Sequence, residues 1–150
     1  MSVESPRAKL LASFVKCLES ITTDDGYNTD AGDHVTTKSG QDPGEGEYVL
    51  GVVIAAQRRS DDPAKVKNSR NTTVGIVVKF AVDIDDREER LDLVLQDIER
   101  AMNGHGAMAH FEAGYEFPKF QEMKPIAPDA SLGIGWSGAV VSYTSHIPIQ

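Results

Sequence analysis

The chain has 150 residues, 40% of them hydrophobic, and a formal charge of −8, which allows one domain with a core and leaves too little for two ordinary ones. The acid excess excludes net attraction to DNA or anionic lipid, because phosphate binding draws on surplus basic charge. A single cysteine, Cys17, rules out an internal disulfide framework, argues against a thiolate zinc site, and reads as a small buried apolar residue.

No apolar run approaches the roughly 20 residues needed to span a bilayer, and no secretory h-region opens the chain. The expectation is a soluble, intracellular protein. Ser5-Pro6 starts a helix, with serine as cap and proline at the first helical position, where its missing amide hydrogen is not needed. Leu11, Phe14, Val15, Leu18 and Ile21 form its apolar stripe, so the first helix runs over 6–20.

Residues 22–46 are rich in Asp, Gly, Asn and Thr and read as a long loop, with a short strand around 34–37. Asp24, Asp25, Asn28, Asp30 and Asp33 invite a calcium reading. Their spacing does not fit an EF-hand loop, and no bidentate glutamate closes it, so a solvated acidic loop is the better account.

The segment 48–57, YVLGVVIAAQ, is apolar on both alternations, as expected of a strand covered on both sides or lying in a subunit contact. In the next strand Val74, Ile76, Val78, Phe80, Val82 and Ile84 recur at every second position, the mark of one buried face. The two strands form a hairpin over 48–84 with a long tip. That tip carries Arg58, Arg59, Lys65, Lys67 and Arg70, five of the chain's fifteen basic residues, against Asp61 and Asp62. A basic arm on an acidic body can dock onto the next copy of that body; a merely solvated loop is the alternative.

The second helix, 87–102, is amphipathic through Leu91, Val94, Leu95, Ile98, Ala101 and Met102. Asp86 with Glu89 makes a capping box, and Gly104 supplies the left-handed stop. A greasy strand face followed at once by a greasy helix face places the helix across the sheet. Residues 111–115 hint at a strand, 118–130 look like a loop, and 132–147 read as a C-terminal strand in which Trp136, Val140 and Val141 are buried. Its glycines, Gly133, Gly135 and Gly138, allow a bend or the close approach of another backbone. The fold class expected is α+β, with a mixed, mainly antiparallel sheet and long hairpin packed by two helices in a single domain, 1–150.

No catalytic constellation emerges. Gly133 to Gly138 matches G-x-G-x-x-G, but a dinucleotide site needs a helix after it and an acidic residue roughly 20 positions on. Strand-like sequence follows instead, and only twelve residues remain. Ser137 lacks a nucleophile elbow. His34, His105, His110 and His146 show no helical zinc-pair spacing and read as structural or solvent-facing. The expectation is no enzyme, no cofactor and no metal.

The order of elements, together with Gly26-Tyr27, Thr29-Asp30 and Gly32 ahead of Val35, and Leu95, Asp97-Ile98 and Ala101 in the second helix, resembles the tail terminator (tail completion) proteins of long-tailed bacteriophages over residues 5–102. The resemblance implies a ring-forming subunit, a hexamer seated on the last ring of the tail tube. It would stop tube polymerisation and offer its other face to a head-completion or neck protein in the virion, after assembly in the host cytoplasm. Double-stranded DNA would pass through the lumen without sequence-specific binding, past an acidic inner wall that repels its phosphates. The alternatives are another neck or head-tail joining (connector) protein and a small-molecule-binding or catalytic α/β domain.

Overall fold

The computed structural model describes residues 5–38, 40–103, 107–132 and 134–149. Helix α1 spans Pro6–Glu19, with Ser5 Oγ accepting from the Ala8 amide at 3.1 Å and Pro6 in the first turn. Its buried line is Leu10, Phe14, Cys17 and Leu18, while Leu11 and Val15 are only half-buried. The stripe is therefore turned from the one the sequence suggests, because α1 packs against α2 as well as the sheet. Cys17 Sγ lies 3.2 Å from the Ala101 carbonyl oxygen, and burial pushes its thiol up to about 11. Such a thiol is inert at neutral pH.

Two 3-10 turns, Thr23–Asp25 and Ala31–His34, precede the two-residue strand β1, Val35–Thr36. Strands β2 (Tyr48–Arg59), β3 (Ser69–Ala81), β4 (Lys119–Ile126) and β5 (Trp136–Pro148) complete a five-stranded sheet in the order β1-β2-β3-β5-β4. Among the described residues, only β1 against β2 is parallel. Helix α2, Arg87–Asn103, follows β3 after a short turn. The fold is the expected α+β arrangement of a mixed, mainly antiparallel sheet with two helices.

The core takes one alternation of the sheet: Leu50 and Val52 from β2, Val74, Ile76, Val78 and Phe80 from β3, Val141, Tyr143 and Ile147 from β5. These meet Phe14, Leu18, Val94, Ile98 and Met102 from the helices. On the opposite alternation Gly51, Val53, Val77 and Val140 are half-buried, while Val49 and Trp136 are buried near Lys79, which bonds to Gln41 and Asp42; the helices pack on the core side. Strand β2 is thus covered by helices on one side, and Val140 is not in the core.

Several boundaries differ from the sequence reading. Strand β3 ends at Ala81, so Val82 turns outward at 48% exposed, while Ile84 is buried from the turn that follows. Residues 111–115 form bends and turns, whereas 119–126 in the expected loop is a strand. Leu132 ends a 3-10 turn, and β5 starts at Trp136. The start of α2 is held by the Asp86 carbonyl, which accepts from the Arg90 amide. The proposed stop at Gly104, together with His105 and Gly133, lies outside the described residues. No described helix is long and apolar enough to cross a membrane.

Candidate functional site: an inter-element clasp and a fastened basic arm

Several of the residues singled out at 26–32 meet Asp97 of α2 in one place. Asp97 projects from the buried side of α2 and is fully enclosed. One carboxylate oxygen accepts the Asn28 amide hydrogen at 3.1 Å; the other accepts from the Thr29 amide at 2.8 Å and the Thr29 hydroxyl at 2.7 Å. Arg100, one turn on, donates to the Gly26 carbonyl at 3.2 Å, lies 4.8 Å over the Tyr27 ring and stands 3.9 Å from Asp97. A buried carboxylate is tolerable only when its lone pairs are filled in this way.

The loop itself is folded back. Asp30 accepts from the Thr23 amide and hydroxyl, and those bonds lower its carboxyl below the usual range. Gly26 takes a left-handed φ of 90°, which suits glycine. The Gly32 amide donates to the Ile21 carbonyl at 2.8 Å, and a β-carbon at 32 would collide with the Glu19 carbonyl oxygen. Gly26, Tyr27, Asp30, Gly32 and Asp97 thus form one clasp joining the end of α1, the acidic loop and α2.

The basic arm is the second feature. A register shift between Ile54 and Ala56 marks a bulge in β2 just before it, and Ser60–Asn68 form the turn. Its five predicted residues divide into two groups. Arg58, Arg59 and Lys67 are exposed. Lys65 pairs with Glu116 at 2.9 Å, and Arg70 donates to the carbonyls of Val66 and Ser69.

The sequence reading missed what fastens this arm. Ser60, only 4% exposed, lies with Oγ 2.9 Å from His146 Nε2, and His146 Nδ1 lies 3.1 Å from Glu116 Oε1. This serine-histidine-carboxylate order is also the order of acyl-transfer triads. Here Ser60 Oγ additionally accepts from the Asp62 amide, while the second oxygen of Glu116 is held by Lys65. The array joins arm, β5 and the segment before β4. No spacing could have revealed it, since its members are 86 and 30 positions apart.

Burial has the largest single effect on Glu116 and pushes its carboxyl up. The hydrogen bonds from Lys65 and His146 and their charges together outweigh it and hold the carboxyl at about 2 instead of 4.5. A depressed carboxylate contributes stability above its unfolded value and loses it as pH falls through the folded one. The advantage of the native chain over Glu116→Gln should therefore shrink as pH drops from 4.5 towards 2. Urea midpoints measured across that window test this; parallel curves would remove Glu116 from the account of acid sensitivity.

Neither His34 nor His110 joins this chemistry. His34 stacks on Tyr48 at 4.1 Å, and His110 ends a 3-10 turn. Trp136 opens β5 inside the former glycine motif, where a dinucleotide site needs a helix. Among the described residues, no group of three or more His, Cys, Asp or Glu side chains is placed to hold a metal ion. No protein-family model matches the chain, and no curated protein sequence matches it.

Proposed function

We propose that this chain is a structural, ring-forming subunit of the tail terminator kind, which caps the end of a phage tail tube in the virion and gives a head-completion or neck protein its seat. The observation that carries the reading is the clasp. Thr29 and Asp97 stand 68 positions apart, yet the loop at 26–30 is tied to Asp97 and Arg100 by hydrogen bonds.

Two further features support assembly. The half-buried apolar face of β2, β3 and β5 carries no helix, and the arm presents exposed basic charge on a chain of net −8. Ring closure needs unlike surfaces on identical subunits, and these are unlike. The acidic remainder would suit a lumen through which DNA slides without adhering.

Purified protein, imaged by electron microscopy and weighed by light scattering with and without tail tubes, should give six-membered rings that seat on tube ends. Rings of another subunit number would favour a connector. Monomers indifferent to tubes would overturn the proposal. The hydrogen-bond order Ser60, His146, Glu116 favours one other reading, an acyl-transfer enzyme with Ser60 as nucleophile. A fluorophosphonate probe that labels the native chain but not Ser60→Ala would establish it; the ring reading expects no label there.

A further inference from the structure

We infer that the groove between α2 and β4 seats the basic arm of a neighbouring copy of this chain, an inference that rests on the ring reading and names one contact within it. Two hollows line up along this side of the molecule. One, of about 450 Å³, lies between Leu91 and Glu88 of α2 and Pro125 and Ile126 of β4. The second, of about 310 Å³, lies between Leu95, Asp92 and Glu99 of α2 and Met123 and Val141 of the sheet.

The floor is apolar and open. Met123 on the floor remains 45% exposed; farther along β4, outside the two hollows, Phe120 is 49% exposed and stands edge-on to Tyr143 at 5.8 Å. Strand β4 ends the sheet order, so its outer backbone groups also lack a strand partner. Large exposed side chains beside an unpaired edge are what a partner covers.

Charge selects the occupant. The α2 wall carries Glu88, Asp92 and Glu99, all exposed. Arg87, the basic residue at the same end, is turned to the carbonyls of Val82 and Ile84. The arm presents Arg58, Arg59 and Lys67, with Pro63 and Ala64 exposed at its tip as apolar contacts. Of its two acids, Asp62 is engaged with the Ala64 amide. Three exposed cations thus face three exposed carboxylates, around apolar tips and an apolar floor.

The arm cannot reach the groove of its own chain. Its base pairs with β5 at Ser145 to Pro148, and Ser60, His146 and Glu116 fasten it there. The groove floor meets β5 at Gly138 and Val141. At about 3.3 Å per residue, Val141 and Ile147 lie roughly 20 Å apart along one strand. Only a second copy can supply the arm, and such a head-to-tail contact propagates until a ring closes. Fastening also means that little ordering is left for docking.

The test exchanges charges between the two surfaces. One variant carries Arg58→Glu, Arg59→Glu and Lys67→Glu; another carries Glu88→Lys, Asp92→Lys and Glu99→Lys; a third carries all six. Sedimentation at low salt should show each triple variant associating about tenfold more weakly than the native chain. Mixing the two triple variants should restore assembly through alternating copies, because the native arm meets the native groove and the reversed arm meets the reversed groove. The sixfold variant should recover native assembly. If the native chain assembles but the groove variant assembles equally well, or the sixfold variant fails to recover, the groove is refuted while the ring stands. If the native chain never assembles, the ring reading falls first and the groove with it.

Discussion

Replacing Asp97 with alanine is expected to lower stability by about 3–5 kcal/mol, the range for removing one partner from a buried charged network. The side chain is 0% exposed, and its loss leaves the Asn28 and Thr29 amides and the Thr29 hydroxyl without an acceptor. A fully buried orphan donor costs about 1–3 kcal/mol; Thr29 is half-buried and Asn28 exposed, so water takes up part of that cost and the loss falls at the lower end of the range. Thr29→Val, which removes one of the three bonds, should cost roughly 1 kcal/mol. Asp97→Asn should be worse than its size suggests, because its amide nitrogen would face a backbone donor. Urea unfolding, with a melting temperature lower by roughly 10 °C for the alanine variant, checks the series. A loss under about 1 kcal/mol would mean that the loop holds without its carboxylate.

Gly138→Ala should cost about 3 kcal/mol or more, at the upper end for overpacking. Gly138 lies in β5 opposite Lys79, and a β-carbon there would fall inside the carbonyl oxygen of Val78. The obstacle is backbone in a central strand, so no rotamer change relieves it. Gly51→Ala is the matched control. Its β-carbon would meet nothing nearer than the Val77 carbonyl oxygen at 3.9 Å, and alanine in a strand gains roughly 0.5–1 kcal/mol over glycine by restricting the unfolded chain. Opposite signs at the two glycines are the expected result. Equal and small effects would show that β3 and β5 can separate there at little cost.

The sequence exposed those parts of the fold that obey one local rule. Ser5 and Pro6 announced the start of α1, and the alternation from Val74 to Phe80 announced β3, because caps and periodicity act over a few residues. Strand β4 stayed hidden for a physical reason. It is an edge strand exposed almost throughout, so it has no buried alternation to display, and Pro125 is accepted at an edge where its missing amide hydrogen can face away from the sheet. The phase of α1 was also beyond local reading. With apolar residues at 10, 11, 14, 15, 17 and 18, several stripes are possible, and contact with α2 and the sheet chooses Leu10 and Cys17 over Leu11 and Val15.

The candidate sites divide in the same way. Sequence singled out Asp97 and Gly26 to Gly32 through family likeness, but the bonds between them appear only in three dimensions. It grouped five basic residues by charge, while the fold commits Lys65 and Arg70 internally and leaves Arg58, Arg59 and Lys67 outward. Glu116 and His146 gave no signal, being single polar residues in unrelated segments.

The place of β5 in the sheet order bears on how the protein is made. It lies between β3 and β4, although both are synthesised before it. Until residues 136–148 have left the ribosome, the 13-residue edge of β3 has no neighbour on that side and β4 has none at all. The nascent chain therefore stays open to strand addition by other unfinished chains, and sheet closure waits for β5. Chaperones that shield that edge in the interval would limit such pairing.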